Sequence, residues 1–131
     1  MDATEKASLL IIEDHEIVAL GLKTLIGSHP ALHSIQCVST AKEAIQLTVQ
    51  HPYDLYVIDV ELPDMNGIEL IKNLKLLSPD SAFIFHTIHD ELWTLRQMVN
   101  SGANGIVMKS DDVQELETAI TQVLEGNNYF S

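Results

Sequence analysis

Short apolar runs alternate with helical patterns five times along this chain. The runs at residues 9–12, 33–38, 55–58, 83–85 and 106–108 have the length of strands, although the second alternates only weakly. Each is followed by apolar residues spaced three and four apart, which is typical of the buried face of a helix. Glycines and prolines mark the ends of most of these helical patterns. The alternation predicts a parallel sheet with helices on both faces.

Right-handed crossovers leave few ways to connect such a sheet. We expect the α/β, flavodoxin-like, doubly wound (βα)5 fold, with a five-stranded parallel sheet in the order 2-1-3-4-5. The first and third strands then lie side by side, and ligands of such sheets bind at the carboxyl ends of the strands. With 131 residues the chain is long enough for one core, so we predict a single domain over residues 1–131.

Polar residues stand at the carboxyl ends of four of these strands. Glu13 and Asp14 follow the first strand, Asp59 the third, Thr87 ends the fourth and Lys109 follows the fifth. Carboxylates gathered at one sheet edge repel one another unless a positive charge lies between them, and Mg²⁺ prefers such oxygen ligands. With a lysine and a hydroxyl added, the set has the parts needed for phosphoryl transfer to an in-line carboxylate nucleophile, Asp59.

Each of these residues also has a structural interpretation when it is taken alone. Acids such as Glu13 and Asp14 are favoured at a helix N-terminus whatever their chemistry. Thr87 fits a strand-end hydroxyl, and Lys109 fits a surface lysine. Their joint position at the ends of four neighbouring strands is what favours a functional site.

The charge of the chain limits its partners. Seven Lys and Arg against 19 Asp and Glu give a formal net charge of −12. Phosphate backbones and anionic lipids repel such a chain, so we expect this segment to bind neither nucleic acid directly nor membranes.

No signal-peptide pattern is present, which predicts a cytoplasmic protein. The single cysteine, Cys37, is expected to be a buried structural thiol.

Four motifs of this chain resemble the receiver domain of bacterial two-component response regulators. They are IIEDHEIV, VIDVELPDMNGIEL, FHTIHD and GANGIVMKS, and the resemblance extends over residues 9–131. It implies that Glu13 and Asp14 form an acidic pocket for Mg²⁺ and that the main-chain carbonyl of Glu61 completes the metal site. It also implies that Asp59 accepts a phosphoryl group from the histidine of a sensor kinase.

The resemblance further implies a switch rather than an enzyme acting on a separate substrate, with Thr87 and Lys109 reading the phosphoryl group. The segment TAITQVLEGNNYFS and the Asp-His pair after Glu13 resemble the NarL/LuxR-type subfamily. In that subfamily a helix-turn-helix DNA-binding domain follows the receiver, so the expected output is transcription regulation. A homodimer formed on phosphorylation is a further expectation.

Three residues depart from the usual pattern of the family. Ile106 stands where most receivers have Tyr or Phe, Ser110 where many have Pro, and Glu13 where Asp is commoner. The usual aromatic ring moves between two rotamers during switching. Ile106 is β-branched and restricted in χ1, so the signal is expected to pass through residues 87–91 and to carry Trp93 with it.

Other functions fit the sequence less well. A haloacid-dehalogenase-type phosphatase needs a second Asp two residues after the nucleophile, where this chain has Glu61. An FMN-binding module needs a Ser-, Thr- and Gly-rich loop after the first strand, where EDHEIVALG offers acids. A degenerate receiver that only binds proteins remains an alternative. The six histidines have no cysteine partners, so a transition-metal site is not favoured, but His89 lies close enough to Thr87 to influence hydrolysis.

Overall fold

The apolar runs form strands, and the spaced patterns form helices, in a computed structural model that describes residues 6–130. Residues 1–5 and Ser131, the ends of the predicted domain, lie outside the described residues. The strands are β1 (Ala7–Ile12), β2 (Leu32–Val38), β3 (Leu55–Ile58), β4 (Ala82–Thr87), β5 (Gly105–Met108) and β6 (Tyr129–Phe130). The helices are α1 (Glu16–Ile26), α2 (Ala41–Gln50), α3 (Gly67–Leu77), α4 (Leu92–Asn100) and α5 (Val113–Leu124).

The strands form one sheet in the order β2-β1-β3-β4-β5-β6, and every neighbouring pair is parallel. The predicted doubly wound fold and the order of its five strands are confirmed. The sixth strand is an addition that the apolar pattern did not indicate, because two residues are too few to show a period. Tyr129 pairs with Gly105 at the edge of β5, and its hydroxyl hydrogen-bonds the Glu115 carboxylate.

Alternate residues of each strand point to opposite faces of the sheet, which produces two core layers. Leu10 and Ile12 face one layer, where α2, α3 and α4 pack, whereas Leu9 and Ile11 face the other, where α1 and α5 pack. The central strands β1 and β3 are buried over their whole length between these layers. The two faces therefore fix the strand register on which the site depends.

The helix starts follow the polar residues that precede them. Thr40 caps α2 by accepting a hydrogen bond from the Glu43 amide, and Asp112 caps α5 in the same way from Gln114. Each cap satisfies one of the amides that a helix start leaves without a partner.

Two further expectations concern Cys37 and membranes. Cys37 lies in β2 but is half-buried rather than buried, with its thiol 3.9 Å from the Ala19 carbonyl oxygen. Burial still raises the pKa of this thiol above its ordinary value. Among the described residues, no helix has both the length and the apolar composition needed to span a membrane.

Candidate functional site

The strand register brings the predicted site residues to one edge of the sheet. Ile12 at the end of β1 pairs with Ile58 at the end of β3, and the next amide, Asp59 N, donates to the Ile12 carbonyl at 3.0 Å. On the other side, the Lys109 amide donates to the Thr87 carbonyl at 2.8 Å. All four strands thus end at the same edge of the sheet, although β4 and β5 run two residues further, because Ile58 pairs with Phe85 and Thr87 pairs with Met108.

Lys109 joins the two buried carboxylates of this edge. Its Nζ lies 2.6 Å from Glu13 Oε1 and 3.0 Å from Asp59 Oδ2. The side chains of Glu13 and Asp59 are only 3% and 6% exposed, so neither charge is screened by bulk water. A buried carboxylate is tolerated where a cation and hydrogen bonds compensate it. We call Glu13, Asp59 and Lys109 the acceptor half of the site.

The pKa values of the two carboxylates in the acceptor half are shifted in opposite directions. Burial and the neighbouring Glu13 raise the pKa of Asp59, against the opposing effect of Lys109. Burial also acts to raise the pKa of Glu13, but hydrogen bonds from Lys109 and neighbouring groups outweigh it and lower that pKa. Burial acts to lower the pKa of Lys109, yet the two carboxylates raise it. The repulsion between the carboxylates is the feature that a bound divalent cation would relieve.

The ligand atoms around Asp14 fit such a cation. Oxygen or nitrogen atoms of Glu13, Asp14, His15 and Asp59 all lie within 4.8 Å of one another. Asp14 Oδ1 is buried and accepts no hydrogen bond, and its nearest charged partner is the His15 ring at 3.3 Å. Two or three carboxylates with an unsatisfied oxygen suit Mg²⁺, which keeps waters as its remaining ligands.

His15 was not predicted as part of this cluster. Its Nδ1 lies 3.0 Å from Glu13 Oε2 and 3.3 Å from Asp14 Oδ1. The hydrogen bond with Glu13 and the charge of Asp14 raise the pKa of the exposed His15 imidazole. The only sequence signal was its position two residues after Glu13.

The loop after β3 holds Asp59 and Glu61 in a fixed shape. The Glu61 amide donates to Asp59 Oδ1 at 3.2 Å, and the Gly67 amide donates to the Val60 carbonyl at 2.7 Å. A Cβ at Gly67 would lie 2.3 Å from the Asp59 carbonyl oxygen, so only glycine lets α3 begin this close to Asp59. The Glu61 carboxylate is not in the acidic cluster, and the metal role of its main-chain carbonyl stays a prediction of the resemblance.

Asp64 ties the tip of this loop to α2, a contact that the sequence did not reveal. Its two carboxylate oxygens accept the Ala41 and Lys42 amides, each at 2.9 Å. These hydrogen bonds lower the pKa of Asp64. The loop is therefore held at its tip as well as at both ends.

Thr87, His89, Glu61 and Glu91 form the second part, which we call the loop half. Thr87 is fully buried, and its Oγ1 accepts the His89 amide at 3.0 Å. The His89 ring lies 2.5 Å from Glu61 Oε1 through Nε2 and 3.4 Å from Glu91 Oε2 through Nδ1. Partial burial acts to lower the pKa of His89, but the two carboxylates raise it. The ring contacts connect the loop after β3 with the loop after β4.

Two residues beside the site lie in the sheet, one buried and one half-buried. Ile106 is 2% exposed and pairs with Phe85 across β4 and β5, in the layer that α4 covers. His86 follows Phe85, and its buried Nδ1 has no hydrogen-bond partner. Burial and the Lys109 charge lower the pKa of His86 to about 4, so its ring is neutral at neutral pH.

The family model for the response regulator receiver domain matches residues 9–121. The chain belongs to the response regulator receiver domain family. The predicted resemblance is thereby confirmed. Curated relatives of this receiver domain include the Fimbriae Z protein of Salmonella typhimurium, 27% identical over 95% of this chain and 59% of its own length. The transcriptional activator DevR/DosR of Mycobacterium tuberculosis is 32% identical over 92% of this chain and 55% of its own length.

Solved structures of similar proteins agree with this assignment. A LuxR-family two-component response regulator from Aurantimonas sp. superimposes with a TM-score of 0.88 and 29% identity, covering 95% of this chain and 89% of that one. The isolated REC domain of RcsB from Salmonella enterica, in the presence of phosphomimetic BeF3⁻, gives a TM-score of 0.90 over 97% and 94% of the two chains. At 20% identity this second match supports the fold alone. The receiver domain spans between half and two thirds of the length of the curated relatives it matches.

Proposed function

We propose that this receiver domain is a Mg²⁺-dependent phosphoacceptor that takes a phosphoryl group on Asp59 from the histidine of a sensor kinase. The observation that carries the proposal is the pair of contacts from Lys109 Nζ to Glu13 and Asp59, beside the unsatisfied oxygen of Asp14. This arrangement gives a buried nucleophilic carboxylate, a cation already in contact with it and a place for a metal.

Glu13, Asp14, Asp59 and the main-chain carbonyl of Glu61 would hold the metal. When bound, Mg²⁺ supplies positive charge that stabilises the transferring phosphoryl group. An oxygen of Asp59 forms the new bond to phosphorus while the bond from phosphorus to the kinase histidine nitrogen breaks, and that nitrogen takes up a proton from water. The new bond removes the negative charge of the Asp59 carboxylate and leaves it on the phosphoryl oxygens, so Lys109, already in contact with Asp59, pairs with a phosphoryl oxygen.

Thr87 reads the new group in this mechanism. Its Oγ1 acts as an acceptor towards the His89 amide, so its own hydroxyl hydrogen is left to donate to a phosphoryl oxygen. A move of Thr87 towards Asp59 would pull on the His89 amide and through it on the loop that leads to α4. The reaction is self-catalysed, and so is the later hydrolysis of the acyl phosphate.

The proposed output is transcription regulation by a cytoplasmic protein that dimerises on phosphorylation and contacts DNA through a separate DNA-binding domain. Relatives named as transcriptional regulators support this output. The net charge of −12 argues against DNA binding by residues 1–131 themselves. The phosphatase alternative lacks support, because the Glu61 carboxylate pairs with His89 at the surface instead of facing Asp59 as a general acid.

Intact-mass measurement tests the proposal. After treatment with phosphoramidate and Mg²⁺, we expect the protein to gain one phosphoryl group, and Asp59→Asn to gain none. Asp80→Asn, at an exposed position, is the matched control and should gain the group as the wild type does. An equal gain by Asp59→Asn, or an equal rate in EDTA, would contradict the assignment.

A further inference from the structure

The start of α2 is capped twice, once from its own segment and once from a distant loop. Thr40 accepts the Glu43 amide at 3.1 Å, as a local cap does. The amides of Ala41 and Lys42 both donate to the carboxylate of Asp64, which lies 23 and 22 residues further along the chain. We call this pair of hydrogen bonds the tether, because it joins the loop after β3 to the start of a helix on another segment.

The formation of α2 does not by itself require the tether. Helices α1 and α4 begin at residues whose side chains make no capping hydrogen bond. They have 11 and 9 residues, and α2, which has its own Thr40 cap, has 10. The Asp64 side chain is exposed, so water would hydrate its carboxylate without the tether, and fixing it costs conformational entropy. The reason for the tether therefore lies in the loop that carries Asp64.

That loop, residues 59–67, needs an outside contact to fix its direction. Glu61 and Asn66 face each other in an antiparallel bridge, so the two arms of the loop are joined to each other. Leu62 and Met65 pack partly against the core, but apolar contacts have little directional preference. The two hydrogen bonds of the tether are directional, and they hold the tip of the loop against a rigid helix.

The tether leads back to the carboxylates that follow β1. The Glu13 amide donates to the Val38 carbonyl at 3.0 Å, and Val38 ends β2, two residues before Thr40. The start of α2 is therefore held close to Glu13, and Asp64 passes that position on to the loop that contains Glu61. The oxygen ligands expected from β1 and from β3 are thus connected by a second route, in addition to the pairing of these two strands.

We propose that Asp64 is a positioning residue for the metal, because its contact with the start of α2 holds the main-chain carbonyl of Glu61 in place relative to Glu13 and Asp14. Mg²⁺ demands near-octahedral geometry with short bonds, so a carbonyl that is free to shift binds it less tightly. Asp64 itself lies outside the acidic cluster. The inference rests on the proposed function, in which the Glu61 carbonyl is a metal ligand, and it adds the residue that places this ligand.

Calorimetric titration with Mg²⁺ tests the tether against the local cap of the same helix. Asp64→Ala and Thr40→Ala each remove hydrogen bonds from the start of α2, but only Asp64→Ala frees the loop. We expect the Mg²⁺ Kd to rise at least about fivefold in Asp64→Ala and less than about twofold in Thr40→Ala. Both variants should melt at a lower temperature than the wild type. A Kd in Asp64→Ala no higher than that in Thr40→Ala would overturn the inference.

The negative charge that Asp64→Ala removes has its own controls. Glu69→Gln removes the same charge from an exposed position in the first turn of α3 and should leave the Mg²⁺ Kd within about twofold of the wild-type value. In about 0.5 M KCl, which screens exposed charges, the weaker binding by Asp64→Ala should persist. Asp64→Asn keeps one oxygen that can accept an amide, so its Kd should lie between those of the wild type and Asp64→Ala. A loss of affinity that disappears in KCl, or that Glu69→Gln reproduces, would be electrostatic and would overturn the inference.

Phosphorylation by phosphoramidate over a range of Mg²⁺ concentrations separates this inference from the proposed function. In Asp64→Ala the Mg²⁺ concentration that gives half the maximal rate should rise, while the rate at saturating Mg²⁺ stays within about twofold of the wild type. If the wild type gains the phosphoryl group but Asp64→Ala and Thr40→Ala need equal Mg²⁺, the tether has no role at the metal and the phosphoacceptor stands. If Asp59 gains nothing yet the calorimetric difference is found, the phosphoacceptor is wrong and the positioning role stands. A wild type that binds no Mg²⁺ overturns both.

Discussion

The acceptor half of the site and the loop half lie side by side but are held in different ways. In the acceptor half, Lys109 contacts two carboxylates that are almost wholly buried. In the loop half, the shortest contact joins His89 to Glu61, whose side chain is 65% exposed. A protein is strongly destabilised when a buried ion pair loses one partner, whereas an exposed ion pair contributes little to stability.

This difference suits a chemical switch. In the proposed reaction, Asp59 and Lys109 are in contact before a phosphoryl group arrives, so little reorganisation is needed at the moment of reaction. Thr87 and His89 lie where the sheet passes into a surface loop, and such segments rearrange at low cost. We expect disturbances of the acceptor half to change stability, and disturbances of the loop half to change signalling.

Removal of the Lys109 ammonium group should have the largest effect on stability. Lys109→Ala leaves Glu13 and Asp59 buried without compensation, so we expect a loss of about 3 kcal/mol in the free energy of unfolding in EDTA. Mg²⁺ should restore part of it by binding the same carboxylates. Phosphorylation should continue in part, without the chemical-shift changes in α4 and β5. Urea denaturation measures the loss, and a loss no larger than that of exposed Lys72→Ala would contradict the comparison.

The next effect comes from His86, which is half-buried and close enough to Lys109 for that charge to act on it. Its pKa in the folded protein is about 4, below the ordinary value of 6.5. The unfolded chain therefore binds the proton more readily, and stability falls as the pH drops from 6.5 towards 4. Between pH 7 and pH 5 this residue should account for about 2 kcal/mol of lost stability.

His86→Phe removes the titrating group and should flatten that part of the profile. Denaturation at several pH values gives the slope for each protein. His33→Phe, at an exposed position in β2, is the matched control. Equal slopes for the wild type and His86→Phe would show that His86 is not buried as a neutral ring.

A smaller effect is expected from the loop half. His89→Ala removes the contacts with Glu61 and Glu91, which are solvent-exposed, so the free energy of unfolding should change by less than about 1 kcal/mol. Amide hydrogen exchange in residues 88–91 should become faster, because one link between the two loops is lost. A stability loss as large as that of Lys109→Ala would remove the distinction between the halves.

Trp93 should contribute least to stability, and its fluorescence should report the switch most directly. It is the only tryptophan and is 66% exposed at the start of α4. With Ile106 buried and unable to swing as a ring does, the loop after β4 is the path left for the signal. Beryllofluoride with Mg²⁺ should change Trp93 fluorescence in the wild type and not in Asp59→Asn. An unchanged signal with the mimic bound would mean that α4 does not carry the switch.

The sequence alone determined the alternation of strands and helices, and with it the edge at which Glu13, Asp14, Asp59, Thr87 and Lys109 meet. This succeeded because each apolar run ends directly in a polar residue, and parallel strands place all such ends together. Local residue types also account for two helix starts, since Thr40 and Asp112 have the side chains that cap a helix and stand directly before α2 and α5.

Tertiary structure alone decided which of these groups touch. Lys109 is 96 residues from Glu13, and His89 is 28 residues from Glu61, so no local pattern relates them. Asp64 reaches the start of α2 from 22 residues or more away, and β6 exists only because an open edge of β5 lies beside it. Local residue patterns fix where a chain turns and which face is apolar, but the direction of a loop side chain depends on packing between distant segments.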